Sequence, residues 1–371
     1  VIAYDQRGTG QSEGPPRYTD LWMAPVDRPL HRDSIRTNLG KAARKAGAFF
    51  ADAGHPLSAY NSNASANDLE ALRQVLGAEK ISLWSISYGT HLALTTLKHH
   101  ETSLDRLILA GVEGYDHTVK LPADQEELLH SIDSLLKSQP ATAAAYPDFL
   151  GDVQQLLAKV SDEPVTVATQ HPFTRAPMTV TLGKFDLQIL LAMTLRGPES
   201  FRTLPQSVRQ MLAGNFSSLV PYAAYTKMAY FGGMSLGMDL ASGISPERMA
   251  QLKTQRAETL LGDAINFPYL EIRAAFPELD AGPTFRAPFA SLIPVLTISG
   301  TLDGRTPPSN AEETLRHLPN GVHLLIEGAG HSDPLFLSSP RIEEVMLDFL
   351  RGESITDETI TLPPMEFALP D

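Results

Sequence analysis

Lys80-Ile81-Ser82-Leu83-Trp84-Ser85-Ile86-Ser87-Tyr88-Gly89-Thr90-His91-Leu92-Ala93-Leu94 passes from an apolar β-type run into a helix-like run. Ser87 stands at the junction, with Ser85 two positions before it and Gly89 two positions after. A serine on so tight a strand-to-helix turn, flanked at both second neighbours by small residues, is a nucleophile elbow. The flanking residues must be small because a bulky side chain at either place would strike the neighbouring strand or helix. The usual pattern is Gly-x-Ser-x-Gly; here Ser85 takes the place of the first glycine, and serine is small enough for it.

A nucleophilic serine needs a base to take its proton and a carboxylate to orient that base. Downstream, Pro294-Val295-Leu296-Thr297-Ile298-Ser299-Gly300 reads as a buried strand, and Thr301-Leu302-Asp303-Gly304-Arg305-Thr306-Pro307 as the loop after it. Asp303 is thereby placed just past the carboxyl end of a strand, where open α/β sheets keep their sites. Val322-His323-Leu324-Leu325-Ile326 is a second strand, and Glu327-Gly328-Ala329-Gly330-His331 puts His331 on the small-residue loop that follows. The order serine, acid, histidine is the one this kind of elbow uses. Asp333 is a rival acid, but two residues from the histidine is poor geometry for orienting it, so Asp303 is preferred. Of the other histidines, His91 reads as structural, one turn into the elbow helix, and His99 and His100 end that helix, where cations are favoured.

Tyr4-Asp5-Gln6-Arg7-Gly8-Thr9-Gly10-Gln11-Ser12 resembles the Asp-Gln-Arg-Gly segment of the prolyl iminopeptidase and tripeptidyl aminopeptidase group of α/β-hydrolases, the TAP-like serine peptidases. Leu83 to Thr90 resembles that group's elbow, and Ser299 to Pro307 and Gly328 to Asp333 resemble its acid and histidine loops. The resemblance runs through nearly the whole chain and is diffuse in the middle. It implies Ser87 as nucleophile, His331 as base and then acid, and Asp303 as the partner of His331. It also implies an upstream His-Gly-Gly-Pro-type loop carrying one oxyanion donor, and an upstream strand between the Tyr4 segment and the elbow strand. Val1-Ile2-Ala3-Tyr4 starts without methionine and reads as the inside of a strand, so the expectation is a chain whose N-terminal strands are missing. Members of the group are often exported, which points to a secreted or periplasmic location.

The 371 residues suit one large domain with an insertion, or two domains. Residues 1–114 and 291–371 alternate strands and helices, the grammar of a mostly parallel sheet flanked by helices, in two parts. Within the first part, Ser65-Ala66-Asn67-Asp68 reads as a helix start, Leu69, Leu72, Val75 and Leu76 as its apolar face, and Gly77 as its stop. Leu104 to Ala110 is the next strand, and Arg341 to Leu350 a final amphipathic helix. Residues 115–290 change grammar: Asp124 to Leu136 and Pro246 to Leu261 have helical periodicity, and Pro164 to Ala168 with Met178 to Leu182 forms a hairpin. A mainly helical cap over the elbow is the expectation for this insertion. Seven of the ten methionines lie in it, several in Met228 to Asp239, and read either as a pliable pocket wall or as cap packing.

Net charge is −13 with no basic stripe, which argues against a nucleic-acid partner. There is no cysteine, so disulfides, thiolate metal sites and a cysteine nucleophile are excluded. No histidine pair has zinc spacing, no Walker-type loop occurs, and no apolar run is long enough to span a bilayer. No metal or organic cofactor is implied.

These readings converge on a serine hydrolase acting through an acyl-enzyme on a peptide or a small amide or ester, with an N-terminal exopeptidase as the main expectation. The backbone N–H of Tyr88 should supply one oxyanion donor. Asp239, at the end of the Met-rich cap segment, is the candidate partner for a substrate ammonium; the competing reading is a solvated loop acid or a cap ahead of Pro246. An esterase or lactonase on the same scaffold is the nearest alternative, since the triad does not separate amides from esters. An inactive hydrolase-fold binding protein is the alternative of a different class. A serine at the elbow argues against epoxide hydrolase and dehalogenase chemistry, which place a carboxylate there.

Overall fold

The computed structural model describes Val1 to Pro370. Two helices, α1 (Arg32–Asp52) and α2 (Ser62–Val75), precede β1 (Ile81–Ile86), α3 (Tyr88–His100) and β2 (Leu104–Ala110). A long, mainly helical stretch follows: α4 (Pro122–Ser138), α5 (Pro140–Ala145), α6 (Phe149–Asp162), the hairpin β3 (Val165–Gln170) and β4 (Pro177–Leu182), then α7 (Lys184–Thr194), α8 (Pro198–Phe201) and α9 (Leu204–Leu212). It continues through α10 (Gly233–Ser242), α11 (Pro246–Glu258), α12 (Tyr269–Ile272) and α13 (Pro283–Arg286). The chain closes with β5 (Val295–Gly300), α14 (Pro308–Leu315), β6 (Gly321–Glu327), α15 (Pro334–Leu337), α16 (Pro340–Arg351) and β7 (Glu358–Thr361).

Five strands form one parallel sheet in the order β1-β2-β5-β6-β7. Parallel strands need crossovers on the faces, and those crossovers bury both sides. Accordingly all six residues of β5 are buried. One face packs on α3 through Ala93, Leu94 and Leu97, and the other on α16 through Ile342, Val345 and Phe349. The spacing of those three α16 residues puts them on one stripe. Ser339 caps its first turn, and Gly352, at φ 79°, ends it in the left-handed region that favours glycine. The short strand β7, invisible to periodicity in the sequence, extends the sheet beyond β6.

The first part of the chain departs from the sequence expectation in three places. Val1 to Tyr4 do not form a strand; they run irregularly and largely exposed, pairing with no strand among the described residues. Without a ladder of hydrogen bonds, apolar character alone does not hold a segment extended. Helix α2 begins at Ser62, capped by Asn61, whose side chain accepts from the Ala64 amide at 2.9 Å. Ser65 is buried inside that helix, and Asp68, free of any capping duty, takes a two-pronged bond from Arg7 at 2.6 Å on both arms. That pair clamps the Asp-Gln-Arg-Gly segment onto α2. The expected apolar face also holds only in part: Leu69 is buried, but Val75 is 85% exposed in the last turn.

Helix α1 lies within residues 1–114 yet packs with the helices of the insertion. Leu39, Ala43, Ala46 and Phe50 join the same buried cluster as Leu156 and Val208, and Arg32 bridges the buried carboxylates of Asp263 and Glu271. The tail after β7 reaches the same cluster through Phe367. The helical layer over the sheet is therefore built from three separate stretches of chain.

Candidate active site

Ser87 occupies the turn between β1 and α3 at φ 56° and ψ −128°, an uncommon conformation for a residue with a side chain. The turn is held on both sides: the Ser87 amide donates to the Ala110 carbonyl at 3.0 Å, and its carbonyl accepts from the Thr90 hydroxyl at 2.6 Å. The need for small neighbours is visible directly. A Cβ on Gly89 would lie 3.3 Å from the Cβ of Ser85. Strain of this kind persists only where the surroundings over-determine it, and it clusters at functional sites.

His331 and Asp303 come to the serine from the loops after β6 and β5. His331 Nδ1 lies 2.8 Å from Asp303 Oδ2, and its Nε2 lies 3.0 Å from Ser87 Oγ. An ionised carboxylate only accepts, so this contact puts the imidazole proton on Nδ1 and leaves Nε2 free to accept from the serine. Both side chains are buried. Asp303 Oδ1 in turn accepts the amides of Arg305 at 2.7 Å and Thr306 at 2.9 Å, an Asx-turn that fixes the carboxylate to its own loop. The rival Asp333 is exposed at the start of α15.

Space for the imidazole comes from a bare backbone. Gly111, just past β2, has φ 56°, and a Cβ there would meet Thr306 Oγ1 at 2.8 Å and His331 Cε1 at 3.3 Å. From above, the link between α7 and α8 closes on the same loops. The His331 amide donates to the Arg196 carbonyl at 3.2 Å, and Arg196 Nη2 donates to Ser332 Oγ at 2.9 Å. Tyr88 opens α3, where the first amides of a helix have no intrahelical acceptor, so its N–H points from the elbow without a helical partner. His91 is buried between the Gly114 carbonyl and the Ser242 hydroxyl, a packing role, and burial pushes its imidazole below the usual histidine range. His99 and His100 end α3 against the side chains of Asn63 and Asn67.

Asp239 is not in a loop. It sits in α10, half-buried, and among the described residues no hydrogen bond reaches its carboxylate. Burial, and then the charge of Glu113, push its carboxyl up to about 7. Glu113 follows β2 and is itself buried; burial alone would raise it, but the Lys120 ammonium, bonded at 2.5 Å, together with the His91 ring and the Thr118 hydroxyl, holds it below the usual range. The Glu113 amide donates to the Thr90 hydroxyl at 2.7 Å, three residues past the elbow serine, and burial, with the Glu113 and Asp239 charges adding to it, raises the Tyr88 hydroxyl. Glu113 and Lys120 lie in the loop between β2 and α4, and nothing in the sequence relates them to Asp239 on α10. Of the methionines singled out, Met228 and Met238 are buried and Met234 is half-buried with its sulfur 3.9 Å from the Gln6 amide nitrogen.

The sheet order, the elbow and the two strand-end loops agree with the comparison to known families, in which an alpha/beta hydrolase fold model matches residues 1–336. The chain belongs to the alpha/beta hydrolase fold family. No curated protein matches this α/β-hydrolase. Solved structures similar to it include an esterase from Thermogutta terrifontis, 17% identical, covering 79% of this chain and 72% of that one with a TM-score of 0.33. An epoxide hydrolase from an endophytic Streptomyces is 15% identical over 82% of this chain and 78% of its own, with a TM-score of 0.36. An esterase from Exiguobacterium antarcticum is 15% identical over 80% and 76%, with a TM-score of 0.31. Likeness at this level says nothing about chemistry. Among the described residues no helix is long and apolar enough to cross a membrane.

Proposed function

We propose that this α/β-hydrolase is a serine hydrolase working by acyl transfer, and that its substrates are peptides with a free N-terminus. The observation that carries the proposal is the unbroken line from Asp303 through His331 to Ser87, at 2.8 and 3.0 Å. Ser87 Oγ attacks the substrate carbonyl as its proton passes to His331 Nε2. The Tyr88 N–H, at the start of a helix, meets the charge that develops on the carbonyl oxygen. The intermediate collapses as His331 returns the proton to the leaving amine, which departs and leaves an acyl ester on Ser87. Water, deprotonated by the same Nε2, then cleaves that ester.

Preference for a free amine is supported by Asp239 and Glu113, two carboxylates in a partly desolvated place beside the elbow. A substrate ammonium beside Asp239 would offset the burial and the Glu113 charge that push its carboxyl up, while Glu113 keeps Lys120 as its own partner. Hydrolysis of aminoacyl-arylamides, their N-acetylated forms and simple aryl esters tests the proposal. Cleavage of the free-amine amides well above the blocked ones supports an aminopeptidase. Cleavage of the esters alone would make the protein an esterase.

A further inference from the structure

We infer that Thr306 is a positioning residue of this site, a fourth member that acts through Asp303 and His331. The inference rests on reading Ser87, His331 and Asp303 as the reacting line. The Thr306 hydroxyl lies 2.7 Å from Asp303 Oδ2 and 3.1 Å from His331 Nδ1, and the residue is fully buried. A hydroxyl has one proton to give. The carboxylate can only accept and the Nδ1–H can only donate, so the polarity of both contacts is fixed. Thr306 gives its proton to Oδ2 and turns a lone pair towards the Nδ1–H, which is thereby shared between Oδ2 and Oγ1.

Three consequences follow from that geometry. Counting the amides of Arg305 and Thr306 on Oδ1, the carboxylate is held by four donors, two on each oxygen, and cannot swing away from the ring. The second acceptor at Nδ1 reinforces the tautomer that leaves Nε2 free. As the Ser87 proton arrives at Nε2, both oxygens facing Nδ1 are already oriented, so stabilising the charge on the ring requires no rearrangement. Packing agrees with this role. Gly111 leaves open the volume that the hydroxyl fills, since a Cβ there would stand 2.8 Å from Oγ1.

The test compares the unaltered protein with Thr306→Val, which keeps the shape and loses the hydroxyl, and Thr306→Ser, which keeps the hydroxyl. The first readout is the rate of labelling of Ser87 by a fluorophosphonate. The second is the downfield proton resonance of the His331 Nδ1–H, assigned by its loss in His331→Ala. Loss of one charge-assisted hydrogen bond at the transition state predicts labelling about tenfold slower in Thr306→Val, with Thr306→Ser within about threefold of the unaltered protein. The resonance should shift or broaden in the valine variant and stay in place in the serine variant. Labelling at the full rate with an unmoved resonance in Thr306→Val would overturn the inference while leaving the Ser87 line intact. Should Thr306→Val fail to fold, Thr306→Ser decides, because a folded serine variant that labels tenfold slower would show that the hydroxyl is not what matters. An unaltered protein that never labels would remove the reading of Ser87 and this inference together.

Discussion

The His331 amide donates to the Arg196 carbonyl, so the loop carrying the imidazole is fastened to the link between α7 and α8 rather than to the sheet alone. The acid loop is pressed against the same link. A Cβ on Gly304 would stand 1.9 Å from the Leu195 carbonyl oxygen, and one on Gly330 would stand 2.5 Å from Gly197 Cα. The helical layer thus sets the position of the triad loops as well as covering them.

Gly304→Ala should therefore cost stability and slow the chemistry together, because its nearest obstacle is the Leu195 backbone, which cannot turn aside as a side chain can. Overpacking of this kind costs about 1–3 kcal/mol. Gly40→Ala, inside α1 with its nearest neighbour Ala275 Cβ at 3.4 Å, is the control, and should be neutral or stabilise by up to about 1 kcal/mol. Chemical denaturation of both variants checks this. Equal stability for the two would mean that the contact between Gly304 and Leu195 is looser than the structure has it.

Asp303→Asn should lower turnover by a factor on the order of 10⁴, since an amide in that place favours the wrong imidazole tautomer. Asp333→Asn, at an exposed helix start, should stay within about threefold of the unaltered protein, as surface changes usually do. Steady-state rates on one substrate decide, and an Asp333 variant that is the dead one would reverse the assignment.

Asp239→Asn should raise KM for free-amine substrates by about ten- to a hundredfold, the worth of one hydrogen bond to a charged group. N-acetylated substrates should be unaffected. The sign of the pH dependence follows from a carboxyl pushed up to about 7: ammonium binding is present above that pH and lost as pH falls through it. The ratio of kcat/KM for free over blocked substrates should accordingly rise through about pH 7, then fall above about pH 8 as the substrate's own amine loses its proton. The same raised value makes the folded state bind more protons than the unfolded one above the ordinary 3.8, so stability falls as pH rises from there to about 7. Asp239→Asn should thus raise Tm more at pH 8 than at pH 5. A flat ratio, with equal effects on free and blocked substrates, would remove Asp239 from amine recognition.

Ser87, Asp303 and His331 could be read from the sequence because each sits on a local pattern, an apolar run followed by a loop of small residues. Their meeting needs the strands to be parallel, so that the loops share one edge of the sheet, and to lie in the order β1-β2-β5-β6. Thr306 was within the same quoted loop, three residues after Asp303, and an Asp-x-x-Thr spacing is an Asx-turn signal that could have marked it. Its contact with His331, however, depends on β5 and β6 lying side by side. Asp239 ends a Met-rich segment whose Gly232, Gly233 and Gly237 lower helix propensity, which leaves a loop acid as a competing reading; tertiary packing makes the helix regardless. Gly237 lies against the carbonyls of Leu57 and Tyr60, an approach that a side chain would block. The pairing of Arg7 with Asp68, the packing of α1 into the helical layer and the reach of Phe367 into it are long-range, and single-sequence periodicity carries no signal for them.

Reaction of the full chain with a fluorophosphonate probe, followed by mapping of the modified peptide, tests the central claim most directly. The predicted result is one stoichiometric label on Ser87, absent from Ser87→Ala, with that variant melting within about 0.5 kcal/mol of the unaltered protein because the hydroxyl contributes little packing. No label, or a label that persists in a folded Ser87→Ala, would contradict it.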